Sequence, residues 1–207
     1  MIERLRDDTL NLMKIPGLSG HEDKVRDYIK KAVKKIGLTP TFNKLGNLTI
    51  TFPGTSPRVM LFTHMDQLGL VVRKIEDDGY LRFERVGGVP EKILLGQTIS
   101  VITKNGKALS GTIGTKSHHA TQPDEKYKVP SYRDLYIDLG LCTANEVRTS
   151  GIDIGSPIVY KPSAEIIGDE KIIGTSVDDR AGCAVLLEVA RQINSRAAGP
   201  EINIVFT

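Results

Sequence analysis

The chain has 207 residues, of which 40% are hydrophobic and 26% charged, a composition typical of a globular protein that buries a core. Its formal net charge is only +3 and its lysines are scattered, so we expect no nucleic-acid partner. No apolar run approaches the ~20 residues of a membrane helix, so we expect no membrane partner. The opening stretch MIERLRDDTL is too acidic for a secretory signal, and two cysteines form no disulfide framework, which together indicate a cytoplasmic protein.

The first part of the chain, residues 1–69, carries the pattern of an α/β domain. Ser19 and Glu22 have the spacing of a helix capping box, and the apolar residues that follow lie on one helical stripe, which Gly37 ends. The stretch GNLTITF then alternates like a half-buried strand. RVMLFT is a short continuous apolar run, which is typical of a fully buried strand.

Residues 70–162 have a different, β-rich pattern. GLVVRKIEDDGYLRFERV predicts two strands around an Asp-Gly turn, and ISVITKNGKALSGTIG repeats that arrangement around Asn105 and Gly106. YIDLG and SPIVYK are further strand candidates, and TANEVRTSG is a short helix candidate between them. This segment is therefore predicted to be a small inserted β domain.

Helical periodicity returns in residues 163–207. DDRAGCAVLLEVARQINSR predicts a helix, and PEINIVFT predicts another buried strand after it. A strand, a helix and a strand in succession imply a parallel pairing in the sheet. We therefore predict an α/β domain with a parallel or mixed sheet, formed by residues 1–69 and 163–207 and interrupted by the β domain of residues 70–162.

Two polar side chains, His64 and Asp66, follow the apolar run RVMLFT at its carboxyl end, where open α/β sheets bind ligands. Residues i and i+2 of a strand face the same way. A neutral imidazole is a good zinc or cobalt ligand, and a neighbouring carboxylate can accept the N–H of its other nitrogen. The pair is therefore a candidate metal site, although a histidine that only satisfies a loop hydrogen bond would give the same pattern.

A second candidate, TSVDDRAGC, places Asp178 and Asp179 where a strand-like approach gives way to the helix. An aspartate at this position can simply cap the helix. A carboxylate can also bridge two metal ions, as two-metal hydrolases require. His118 and His119 lie in the polar loop KSHHATQPDEKYK, and we expect them at the surface.

Several stretches together resemble the glutamyl aminopeptidase and endoglucanase-M-like metallopeptidases: IPGLSGHEDKVRDYI, GNLTI, PRVMLFTHMDQLG, GTIGTKSHH, YIDLG and SVDDRAGC. The resemblance implies a metal-dependent aminopeptidase that hydrolyses N-terminal residues from peptides with two divalent metal ions, zinc or cobalt, and an activated water. It also implies an α/β catalytic domain and a PDZ-like β-barrel domain used in homo-oligomerisation, commonly into dodecamers.

The resemblance assigns roles to individual residues. His64 resembles the ligand of one metal, Asp178 the carboxylate that bridges both metals, and Asp66 the catalytic-site residue that orients His64. The peptide between Asp178 and Asp179 is expected to be cis. Gln67 stands where the family usually has an acidic residue, and a small effect on the metal ligands is expected.

In the resembled family, the general-base glutamate and the remaining metal ligands follow the strand that INIVFT resembles. We therefore expect the catalytic domain to be incomplete at its C-terminus and the 207-residue chain to be inactive alone. Two alternatives remain. The chain could be a non-catalytic fragment or pseudoenzyme that acts as an oligomerisation module, or a related metallo-deacylase.

Overall fold

The computed structural model describes residues 1–195 and 199–207. They form two compact units, one made of Met1–Gln67 and Pro162–Thr207 and the other of Leu68–Lys161. None of the described helices is long and apolar enough to cross a lipid bilayer.

The described residues contain four α-helices and twelve strands. In chain order these are α1 (Ile2–Met13), α2 (Asp23–Lys35), β1 (Thr41–Phe42), β2 (Leu48–Phe52), β3 (Thr55–Thr63), β4 (Gly69–Ile75), β5 (Leu81–Val86), β6 (Thr98–Ile102), β7 (Ala108–Gly114), β8 (Tyr136–Asp138), α3 (Ala144–Thr149), β9 (Pro157–Tyr160), β10 (Ala164–Ile167), β11 (Lys171–Gly174), α4 (Val177–Ile193) and β12 (Pro200–Phe206). The strands form a sheet of order β1-β2-β12-β3, a hairpin β10–β11, and a closed barrel β4-β5-β8-β7-β6-β9.

The sheet of the first unit is mixed. Strand β12 runs parallel to β3 and antiparallel to β2, so the sheet is mixed, one of the two predicted arrangements. The predicted parallel pairing of the strands on either side of α4 is wrong, because β11, which directly precedes α4, pairs antiparallel with β10 in a separate hairpin. Helices α2 and α4 supply the apolar side chains that pack on the sheet. The core consists of residues from both helices and from β2 and β12, including Val25, Ile29, Val33, Leu48, Ile50, Ala184, Leu187, Ile202, Ile204 and Phe206.

Two local predictions for this unit are wrong. No capping box forms, because α2 begins after Glu22, whose carboxylate instead accepts the N–H of Gly20 at 2.5 Å. Strand β3 is not buried on both faces, since Met60 is 65% and Phe62 75% exposed in the described part of the chain. Successive strand residues point to opposite faces, so only the alternate residues of β3 reach the core.

The second unit contains both predicted hairpins. Strands β4 and β5 pair across the turn at Gly79, and β6 and β7 pair across the turn at Gly106. Both glycines have positive φ angles, +87° and +73°, which residues with a Cβ rarely adopt. With β8 and β9 these hairpins close into a six-stranded barrel, which confirms the prediction of a β-barrel.

Candidate metal centre

The chain leaves β3 with alternating inward and outward side chains. Met65 and Gln67 point inward and are 1% and 6% exposed, and the N–H of Met65 donates to the Thr207 carbonyl at 2.7 Å. His64 and Asp66 therefore share the outward side. Asp66 Oδ1 lies 2.9 Å from His64 Nδ1, and because a carboxylate only accepts, Nδ1 carries the hydrogen. The Nε2 atom of His64 is left for another partner.

The partner of Nε2 is Asp178, from the start of α4. Its Oδ1 lies 3.0 Å from His64 Nε2, so by the same argument Nε2 also carries a hydrogen in this contact, and the Asp178 side chain is 93% exposed. Burial lowers the pKa of His64, but the hydrogen bonds with Asp66 and Asp178 outweigh this effect, so the pKa is raised above its usual value. The structure thus brings together all three residues that the sequence singled out, with the imidazole between two carboxylates.

The two adjacent aspartates have different surroundings. Their shared peptide bond is cis, as expected, and both have non-helical backbone angles, so regular helix begins after them. Asp179 turns inward, where its Oδ1 accepts the N–H of Gly182 at 3.0 Å and its Oδ2 accepts the hydroxyl of Thr63. The capping interpretation therefore fits Asp179, whereas the carboxylate of Asp178 is directed at His64.

Two further side chains lie beneath these donors. Arg180 is fully buried, donates through Nη1 to the Leu12 carbonyl at 2.9 Å, and has a pKa lowered to about 10 by burial. Cys183 is also fully buried, and its Sγ donates to the backbone carbonyl of His64 at 3.3 Å. Burial raises the pKa of this thiol to about 12, so it packs and does not serve as a nucleophile.

The donor atoms fit a metal ion in type but not in number. A neutral imidazole nitrogen and a carboxylate oxygen are both zinc ligands, and the carboxylate on Nδ1 is the usual support for a ligating histidine. A catalytic zinc needs about three protein ligands and a water. Within residues 1–195 and 199–207, no group of three or more His, Cys, Asp or Glu side chains is arranged to hold one ion. His64 and Asp178 are thus suited to be part of a ligand set.

The other histidines lie at the surface, as expected. His118 and His119 belong to a short 3₁₀ turn with edge-to-face rings 6.1 Å apart, and His21 is exposed near the start of α2.

The sequence pattern of the M42 glutamyl aminopeptidases matches residues 46–207. The chain belongs to this family. The resemblance noted from the sequence is therefore confirmed, and the M42 family pattern includes both segments that carry His64 and Asp178.

Relatives of this M42 chain are aminopeptidases. It is 30% identical to the lysyl aminopeptidase of Pyrococcus furiosus over 190 residues, which cover 90% of this chain and 54% of that protein. The TET aminopeptidase of a marine sediment archaeon of the Thaumarchaeota matches with a TM-score of 0.92 and 31% identity, over 98% of this chain and 58% of that one. The Pyrococcus horikoshii TET1 peptidase can assemble into a tetrahedron or a large octahedral shell. It matches with a TM-score of 0.86 and 29% identity, over 100% of this chain and 60% of that one. The chain spans about half the length of the curated relatives it matches.

Sequence reasoning missed the residues that support the donors in this M42 chain. Arg180 could have been found, because it lies on the same helical stripe as Ala184 and Leu187, and a charged residue on a buried stripe is unusual. The inward position of Gln67 follows from strand alternation after His64. No local signal separates Asp178 from Asp179, because their different directions depend on contacts with Thr63 and His64, which are distant in sequence.

Proposed function

We propose that the protein carrying this chain is a metal-dependent aminopeptidase that releases N-terminal residues from peptides, and that His64 and Asp178 are two of its metal ligands. One observation carries the proposal. His64 Nε2 faces Asp178 Oδ1 at 3.0 Å, while Asp66 engages Nδ1 at 2.9 Å. This arrangement directs Nε2 at the Asp178 carboxylate, so a bound metal ion would take the place of the Nε2 hydrogen, and family membership supports the peptidase activity.

We assign a separate role to each side chain. Asp178, with two carboxylate oxygens in solvent, is the candidate to bridge two divalent ions, zinc or cobalt. Asp66 is the residue that fixes the tautomer and direction of the His64 ring and raises its basicity. When bound, the two ions supply an activated water for attack on the first peptide carbonyl.

The remaining ligands and the base that takes the proton from water are proposed to come from outside the described residues, because these offer no third donor to the site. A polypeptide of residues 1–207 is then expected to be inactive alone. The alternative of a non-catalytic oligomerisation module predicts that no form of the protein is active, so one assay separates the two.

The β-barrel unit of residues 68–161 is proposed to be a PDZ-like oligomerisation domain. Its support is the likeness of the whole chain to the Pyrococcus horikoshii TET1 peptidase, which forms large closed assemblies. Neither Cys142 nor Cys183 forms a disulfide, which supports a reducing cytoplasmic location.

The test is substitution in the complete protein, with hydrolysis of aminoacyl anilides and bound metal measured together. His64→Ala and Asp178→Ala should each abolish hydrolysis and lower the metal content. Asp66→Asn should keep most of the metal and slow hydrolysis about 10–100-fold, as changes behind a metal ligand typically do. His21→Ala, an exposed histidine of the same unit, is the control and should change neither measurement.

Normal turnover and full metal content in Asp178→Ala would overturn the assignment of that carboxylate. Residues 1–207 expressed alone are the second arm of the assay, with zinc or cobalt added. Turnover within about tenfold of the complete protein would mean that some described residue supplies the base.

A further inference from the structure

Arg180 is a buried cation that forms no ion pair with any residue the structure describes. It is the largest fully buried side chain of the described residues. Its guanidinium contacts only neutral acceptors there, and its Nε has no hydrogen-bond partner among them. Arg191, on the same helix, is instead paired with Asp8 at 2.7 Å and Glu188 at 3.1 Å. Burying an unpaired charge is unfavourable, so stability alone does not explain Arg180.

The contacts of Arg180 join three segments of the chain. From α4, its Nη1 donates to the Leu12 carbonyl at the end of α1, and its Nη2 lies 3.5 Å from Gln67 Oε1 beyond β3. Gln67 forms two hydrogen bonds with Gly17. Its backbone N–H donates to the Gly17 carbonyl at 2.9 Å, and its Oε1 accepts the Gly17 N–H at 3.2 Å. A Cβ on Gly17 would lie 2.7 Å from Arg180 Nη2, so little free space separates them.

We propose that Arg180 and Gln67 form a positioning pair that sets the distance between the two metal-ligating segments. Gln67 directly follows Asp66, and Arg180 lies two residues after Asp178, so a contact between their side chains fixes both backbones. This inference rests on the proposed function only in naming His64 and Asp178 as metal ligands. Neither residue of the pair touches the donor atoms, and each acts through the segment that carries it.

A positioning role and a stabilising role predict different results for Arg180→Met. Replacing a buried charge by an apolar side chain of similar length is often neutral or stabilising. If the arginine positions the segments, His64 and Asp178 should lose their spacing without a matching loss of stability. Arg191→Met is the matched control, because it removes an arginine of the same helix whose ion pair with Asp8 joins α4 to α1.

The experiment uses the complete protein that carries this chain, in four variants: Arg180→Met, Gln67→Met, the double substitution and Arg191→Met. Three quantities are measured: the His64 ring signals by NMR at one pH without metal, the apparent Kd for Co²⁺ from broadening of those signals, and the thermal midpoint. Arg180→Met and Gln67→Met should each move the His64 signals and raise the Kd about 10–100-fold. The double variant should raise the Kd no more than the single variant with the larger effect does, because the two side chains act as a unit. Arg191→Met should lower the midpoint and leave the His64 signals and the Kd unchanged.

The positioning pair would be refuted if the His64 signals did not move in Arg180→Met and Gln67→Met. It would also be refuted if the losses of Co²⁺ affinity in the two single variants added up in the double variant. If the signals move but Co²⁺ does not broaden His64 in the unsubstituted chain, the metal role of His64 is refuted and the positioning role stands. Should Arg180→Met fail to fold, Gln67→Met decides by the same measurements, since it removes the shared acceptor and keeps the charge.

Discussion

The inward Asp179 and the outward Asp178 contribute differently to stability, and Asp179→Ala and Asp178→Ala should show the difference. Asp179→Ala removes the acceptor of the Gly182 N–H in the first turn of α4 and the acceptor of the buried Thr63 hydroxyl. Asp178→Ala removes a side chain that is 93% exposed and whose only hydrogen bond, within the described residues, is to His64. The first change should destabilise the fold, and the second should not.

The magnitude follows from the two contacts. Loss of a capping side chain destabilises a helix by about 1 kcal/mol. A buried hydroxyl that loses its partner adds about 1–3 kcal/mol. Thr63 is 4% exposed, but its hydroxyl also lies 3.4 Å from the Asp179 carbonyl, which alanine keeps, so the lower end of that range applies. We expect Asp179→Ala to lower the free energy of unfolding by about 2–3 kcal/mol and Asp178→Ala to lower it by less than about 0.5 kcal/mol.

The assay is urea unfolding followed by NMR signals of the first unit, because two compact units need not unfold together. Asp179→Asn keeps a side-chain acceptor for Gly182 and should fall between Asp179→Ala and the unsubstituted chain. Equal losses from Asp178→Ala and Asp179→Ala would show that both carboxylates support the fold, and the division of roles would be wrong.

Two further predictions concern titration and thiol chemistry. The hydrogen bond with Arg4 lowers the pKa of the buried Glu188 carboxyl from 4.5 to about 2. A carboxyl whose pKa is lowered in the folded state stabilises the fold above about pH 4.5, and this stabilisation is lost as the pH falls towards 2. The free energy of unfolding should therefore drop by about 2–3 kcal/mol over this range. In Glu188→Gln it should drop by much less. An equal drop in Glu188→Gln would contradict the assignment. A thiol reagent at pH 8 should label Cys142, which is exposed, and leave Cys183 unlabelled until the chain unfolds; native labelling of both would show that Cys183 is not packed.

Local patterns predicted the elements that carry the donors. Strand alternation placed His64 and Asp66 on one side of the chain after β3, and glycine turns located the hairpins β4–β5 and β6–β7. The order of strand, helix and strand predicted a parallel neighbour for β12, but that neighbour is β3 and not β11, the strand directly before α4. The alternation and the turns depend on residues close together in sequence, so a single chain reveals them.

Sequence analysis missed two elements of the first unit, helix α1 and the hairpin β10–β11. Helix α1 has a weak apolar pattern, because one of its buried residues is Asp8, which becomes compatible with the interior only through Arg191 and the Tyr28 hydroxyl. The hairpin β10–β11 exposes Ile166, Ile167 and Ile173, so its apolar residues do not mark a buried face. For α1 the deciding partners Tyr28 and Arg191 lie far away along the chain, whereas β10 and β11 pair with each other across a short turn.

Besides the proposed Arg180–Gln67 pair, further contacts join the segments that carry His64 and Asp178. The start of α4 is joined to the end of β3 by Thr63 with the Asp179 carboxylate and by the Cys183 thiol with the His64 carbonyl. On the other side, the Thr207 carbonyl holds the N–H of Met65. These contacts hold the two segments together without an ion, and a preorganised site loses little conformational entropy on binding. Under the proposed function, the affinity of His64 and Asp178 for a metal ion should therefore depend on the packing behind them as well as on the two side chains themselves.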